Sequence, residues 1–207
     1  MSVSEDRTVQ PATVPAPVSS IADPAPLGLA AFALTTFLLS ASNAGWMKAA
    51  SGGAFLGYAF AYGGFVQLLA GMWEFRNRNV FGATAFSSYG GFWIGLGLWV
   101  LLVAPHDTVA QSAHDRGWIL LAFAIFNTYM LIMSTQVNIA VLGVFLTLEV
   151  TEILLFIALF DGNSGLAKAG GYVGIVTAAV AWYTSAAGVA NGTPGRITLP
   201  VGKPLLG

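Results

Sequence analysis

Asp23-Pro24-Ala25-Pro26-Leu27-Gly28-Leu29 runs straight into Ala30–Leu39, ten apolar or hydroxyl residues without a charge. The two prolines stiffen the approach, because each locks φ and removes a backbone donor, which the first turn of a helix tolerates. An uncharged run entered through a stiff turn is how a chain passes into a bilayer. The stretch therefore sets the class of the protein, with hydrocarbon as its solvent.

Composition agrees. Hydrophobic residues make up 56% of the chain and charged residues 8%, against about 25% charged in an ordinary soluble domain. Eight basic and nine acidic residues would hardly cover a soluble fold of 207 residues. The net charge of −1 gives no footprint for nucleic acid or an anionic surface. The absence of cysteine excludes disulfides, thiolate catalysis and Cys-ligated metals. Twenty-five glycines let helices approach closely, as membrane helices do through small residues.

Residues 1–22, rich in Pro, Ser, Thr and Val, have no periodicity and predict a disordered tail. They lack the basic start and apolar core of a cleaved signal peptide. Six apolar segments follow, at 27–42, 52–73, 82–104, 117–135, 138–160 and 170–191. Most reach the roughly 17–25 residues that cross the hydrocarbon as helix. The expected division is the tail, a six-helix transmembrane domain over 23–195 and a short cytoplasmic tail over 196–207. An even helix count puts both termini on one side. That side holds Arg7, Arg76, Arg78, Arg196 and Lys203, against Lys48, Arg116 and Lys168 opposite, so the positive-inside rule places the termini in the cytoplasm. Trp46, Trp73, Trp118 and Trp182 read as interfacial anchors or packing.

Enzyme chemistry leaves little trace. His106 and His114 stand in the third loop beside Asp107, Asp115 and Arg116, in a spacing that fits no metal-ligand motif and reads as a solvated loop. No segment carries a mid-helix lysine for a Schiff base, no Gly-rich phosphate loop follows a strand, and no Ser/His/Asp set is visible. No metal and no cofactor are expected. A second block carries more information: Tyr62-Gly63-Gly64, Gln67, Gly71, Glu74, and then Asn79-Val80-Phe81-Gly82-Ala83-Thr84-Ala85-Phe86-Ser87-Ser88-Tyr89-Gly90-Gly91-Phe92-Trp93. On a helix Thr84, Ser87 and Ser88 share one face. Such a stripe either hydrogen-bonds a neighbouring helix or walls a polar passage.

Here a family resemblance enters. The opening motif Asp23–Leu29 resembles the Asn-Pro-Ala-Pro-Leu-Gly-Leu element of the acetate uptake transporter family, the succinate–acetate permeases. The second block resembles that family's Tyr-Gly-Gly…Gln…Ala-Gly…Glu…Gly-Asn-x-Phe-Gly…Ala-Phe-x-Ser-Tyr-Gly-x-Phe-Trp pattern. Ala169-Gly170-Gly171-Tyr172-Val173-Gly174 and Ala181-Trp182-Tyr183 are similar to its sixth helix. The likeness covers about residues 23–200. Two positions depart from it: Arg78 stands where the family usually has glycine, and Asp23 where it has asparagine. An acidic residue still suits a helix start, but an anion there weakens the pull on a carboxylate substrate.

The resemblance implies an all-α polytopic protein with six transmembrane helices around a central pore in each protomer, protomers assembling as a homo-hexamer in the plasma membrane. It implies an apolar constriction that falls on Phe32, Tyr89 and Leu148, with Ala181 a small pore-side position affecting substrate size. It also implies acetate and related short monocarboxylates as cargo, moved by a channel or a proton-coupled permease. A small carboxylate is costly in hydrocarbon unless hydrogen-bonded or neutralised. Thr35, Thr36, Asn43, Gln67, Thr84, Ser87 and Ser88 are the candidate groups along the pathway that replace its water, while an apolar ring sets the size limit.

Leu148-Glu149-Val150-Thr151-Glu152 puts two carboxylates mid-helix, where an ionised acid costs roughly 2.5–3.5 kcal/mol on insertion scales. Glu152 points within about 40° of Leu148 on a helix, and Glu149 lies about 100° away. Both are candidate proton or gating carboxylates, with hydrogen bonding across a helix or protomer interface as the other reading. Glu74, beside Arg76 and Arg78, is read as a gating acid or a surface ion pair. Asp23, Pro24, Pro26 and Gly28 form the entry motif, and Glu149 and Glu152 also suit a cation. An ammonium or other small-solute transporter on the same scaffold thus stays open, as does, more remotely, a membrane-embedded enzyme.

Overall fold

The computed structural model describes residues 21–47 and 53–206. The expected disorder of the N-terminal tail, Lys48 and the turn residues Ser51 and Gly52 lie outside these, apart from the tail's last two positions. Every regular element among the described residues is a helix, and six are long and apolar enough to cross a membrane: α1 (Ala25–Asn43), α2 (Gly53–Arg76), α3 (Val80–Leu102), α4 (Val109–Ser134), α5 (Ile139–Asp161) and α6 (Ser164–Gly192).

The helix starts follow from capping chemistry. Asn79, Thr108, Asn138 and Asn163 each accept a backbone N–H of the first turn, from Gly82, Gln111, Val141 and Leu166. Asp23 Oδ1 accepts the Ala25 N–H at 3.0 Å, ahead of Pro24 at the N-cap of α1. Two helices begin well before the apolar segments that announce them, α4 at Val109 and α6 at Ser164. Hydropathy reads only the hydrocarbon-spanning part, whereas a capped helix starts in the polar layer. His114, Asp115 and Arg116 are therefore on α4 and not in a loop, and Lys168 is inside α6. His114 Nε2 accepts the indole N–H of Trp118 one turn on, at 3.3 Å. A single 3₁₀ turn, Ala104–His106, bridges α3 and α4.

Midway along α2, Ala61–Val66 is π-helical, a widened turn around Tyr62-Gly63-Gly64 that the apolar pattern did not announce. The helices close into a ring in chain order, α6 returning to α1. The α1–α6 seam is built on Gly171, Gly174, Ala178, Ala181, Ser185 and Gly188, spaced alternately three and four apart along one face. A side chain at Gly171 would strike the Asn43–Ala44 backbone, one at Gly174 would strike Ser40, and one at Gly188 the Pro26 ring. Ser185 Oγ donates to the Pro26 carbonyl at 2.6 Å, satisfying an acceptor at the proline entrance. Glycines also seat α2 on α3, with Gly71 against Ser87 and Gly90 against Leu68. The loosest junction is between α3 and α4, where a cleft of about 600 Å³ opens beside Ser88, Gly91 and Gly95.

Large apolar side chains such as Phe65, Met72, Leu98 and Ile125 face outward, while the largest fully buried ones include Gln67, Glu74, Asn127 and Thr177. That inversion of a soluble core places the polar groups inside the ring.

Candidate functional site

Phe32 on α1, Tyr89 on α3 and Leu148 on α5 each line the same two small cavities, of about 40 and 20 Å³. Their three helices alternate around the ring, so a space touching all of them lies inside it. The Phe32 and Tyr89 rings meet edge-on at 5.6 Å. Tyr89 is further boxed by Phe123 and Phe126 at 5.7 and 5.5 Å. Gly28 makes room one turn away, since a Cβ there would lie 2.7 Å from the Phe86 ring. The three side chains form an apolar partition with a cavity on either face.

The two cavities differ in chemistry. Towards the end of the bundle away from the chain termini, the larger one is walled by Thr36, Ser40, Asn43, Trp93, Thr151 and Glu152 among leucines. It shares Leu39, Asn43, Leu120 and Leu155 with a vestibule of about 290 Å³ that also takes in Ser42 and Arg116. Arg116 thus contributes a guanidinium to the mouth, with its Nε buried and unpartnered among the described residues. Towards the termini, the smaller cavity holds Gln67 among Leu29, Phe86 and Phe145, with the Gln67 Oε1 buried and unpartnered among the described residues.

The two glutamates of α5 part company. Leu148 and Glu152 face the same cavity, as one helical turn demands. Glu149 is turned to α4, where Asn127 Nδ2 donates to it at 2.6 Å and Thr128 Oγ1 at 2.8 Å. Asn127 is fully buried, also donates to the Phe145 carbonyl at 3.0 Å, and accepts the Tyr89 hydroxyl at 3.0 Å. The geometry of Glu149 is that of a bond between helices. Asn127 carries no role in the sequence patterning above, and its one signal there is that it is a lone amide in the fourth apolar run. Trp93 and Arg116 are likewise not among the lining residues expected there.

Other residues singled out in the sequence lie elsewhere. Thr35 is buried against Gly63 of α2 and returns its hydroxyl to the Ala31 carbonyl at 3.0 Å. Ser87 packs on Gly71, Ser88 borders the lateral α3–α4 cleft, and Thr84 is half-buried; none of the three lines either cavity at the partition. Ala181 is buried in the α1–α6 seam and is likewise absent from both linings. Glu74 is no surface ion-pair partner: it is fully buried, its Oε2 accepts from Asn77 Nδ2 at 3.1 Å, and no arginine pairs with it among the described residues. Tight packing of Gly82 against it is the physical reason. Asp23, Pro24, Pro26 and Gly28 hold the start of α1 in place, through the contacts already described.

Comparison with known proteins places this geometry. The model of the GPR1/FUN34/yaaH family matches residues 6–203. The chain is 42% identical over 189 residues to ammonia transport outward protein 2 of Saccharomyces cerevisiae, covering 89% of this chain and 67% of that protein. It is 35% identical over 185 residues to the succinate-acetate/proton symporter SatP of Escherichia coli, covering 89% and 97%. The solved structure of the bacterial acetate channel SatP superimposes with a TM-score of 0.82 at 35% identity, over 88% of this chain and all of that one.

Proposed function

The chain belongs to the GPR1/FUN34/yaaH family, and from that premise we propose that it moves acetate and similar short monocarboxylates across the plasma membrane. The observation that carries the proposal is the apolar partition of Phe32, Tyr89 and Leu148, with the polar cavity of Thr36, Asn43 and Glu152 on one face and Gln67 on the other. Dehydrating a carboxylate is costly unless polar groups replace its water. Acetate matches the mixed lining, with a carboxyl for the polar wall and a methyl for the partition. Glu152 is the proton or gating acid of this reading, and the apolar partition sets the size limit. The chain acts as a homo-hexamer with cytoplasmic termini, a reading supported by the family likeness and the five-to-three excess of basic residues on the side of the termini.

Labelled acetate flux into proteoliposomes tests it, with an imposed pH gradient and a collapsed-gradient control. Uptake that follows the gradient supports proton coupling, and equal uptake without it supports a passive channel. Counterflow separates the two again, because only a carrier is accelerated by substrate on the far side. Absence of acetate flux in both conditions overturns the proposal. One relative is named for ammonia transport, so competition of acetate uptake by ammonium decides between the two cargoes.

A further inference from the structure

Three buried polar atoms on the distal cavity have no hydrogen-bond partner among the described residues: Thr36 Oγ1, Trp93 Nε1 and Glu152 Oε2. Their residues are 5%, 3% and 4% exposed and come from α1, α3 and α5, the helices of the partition itself. An orphaned buried donor forfeits its full solvation unless something inside the cavity accepts from it. An indole N–H can only donate, and a threonine hydroxyl donates as well as accepts. The cavity, at about 40 Å³, has room for a few water molecules at most. It is too small for a second polar molecule beside a bound acid.

We propose that Trp93 and Thr36 are the donors that recognise the carboxyl group of the transported acid, and that Glu152 closes the same site. The inference rests on the reading of the protein as a monocarboxylate transporter, and it identifies where that substrate is first stripped of water. The substrate carbonyl oxygen accepts from the Trp93 indole and the Thr36 hydroxyl. The proton carried on Glu152 is then shared with the substrate carboxylate, so the pair bears one negative charge and not two. The substrate's methyl end is left to Phe32 and Leu148. A dicarboxylate would bring its second charge against the apolar partition, where nothing on Phe32, Tyr89 or Leu148 except one engaged hydroxyl can solvate it.

The test is acetate uptake against concentration in proteoliposomes of the full chain, comparing wild type with Trp93→Phe and Thr36→Val. Thr36→Val keeps its bulk and loses a donor, whereas Trp93→Phe loses the donor together with part of its ring, so the two are read together. The half-saturation concentration should rise about tenfold in Trp93→Phe, the scale of one hydrogen bond to a charged acceptor, and rise in Thr36→Val too. A wild type that transports acetate and a Trp93→Phe protein with unchanged half-saturation would overturn the inference while leaving the transporter reading intact. A second measurement does not depend on either variant folding or on flux: acetate titration of the full-length wild type, followed at the indole ¹H–¹⁵N resonances. A downfield shift of the Trp93 resonance supports the site, and an unmoved resonance at saturating acetate removes it.

Discussion

The Tyr89 hydroxyl donates to Asn127 Oδ1 at 3.0 Å. Through the other end of the same amide, α3 is tied to Glu149 of α5. One buried side chain on α4 therefore fixes the ring that forms part of the partition, and joins three helices. The α3–α4 junction is otherwise the loosest in the ring, which makes this bond its main polar fastening.

Removing that fastening at its two ends should have unequal effects. Tyr89→Phe deletes one hydrogen bond and should lower stability by about 1 kcal/mol. Asn127→Ala strands the Tyr89 hydroxyl and an oxygen of Glu149 together, and should cost about 2–3 kcal/mol. Thermal unfolding in detergent measures both. Equal losses would mean that Asn127 does not act as the bridge.

Leu148→Ala should open the partition. Apolar pockets discriminate by about tenfold or more per methylene or two, so the ratio of succinate to acetate flux should rise by about that factor. The measurement is paired uptake of the two labelled acids in proteoliposomes. A ratio that stays at the wild-type value would place the size filter elsewhere.

Glu152→Gln keeps shape and hydrogen bonding but cannot release a proton. Acetate uptake driven by an imposed pH gradient should fall to the level seen without the gradient. Should uptake keep following the gradient in the variant, Glu152 is not the proton carrier. The matching change at Glu149 should act chiefly on stability, because Glu149 faces α4 and not the cavity.

Arg116 lies in the vestibule with its guanidinium unpaired among the described residues, so it should draw anions to the mouth. Arg116→Gln should lower the initial acetate uptake rate several-fold at low ionic strength. The difference should shrink at high salt, since screening at 1 M acts over about 3 Å. A salt-independent deficit would assign Arg116 a structural role instead.

Arg78 has φ of +61°, in the left-handed region that favours glycine. A side chain there costs about 1–2 kcal/mol. Arg78→Gly should raise the melting temperature by about 2–4 °C per kcal/mol recovered for a chain of this size. No gain would mean that Arg78 makes a compensating contact.

Six spans, their order and the proline entrance were legible in the residues alone, because hydropathy over a window of about 20 residues is a local property that the bilayer enforces. So was the shared direction of Leu148 and Glu152, which helical pitch dictates. Periodicity, however, fixes only the relative angle of residues on one helix and says nothing of how that helix is rotated against its neighbours. Thr84, Ser87 and Ser88 do share a face, yet packing turns Ser87 onto Gly71 and Ser88 to the lateral cleft, while Tyr89 alone swings to the partition. The pairing of Asn127 with Glu149, 22 residues apart and on different helices, and the arrival of Trp93 and Arg116 at the cavities were invisible for the same reason. They depend on which small residues let which helices touch, and that is settled only when all six pack together.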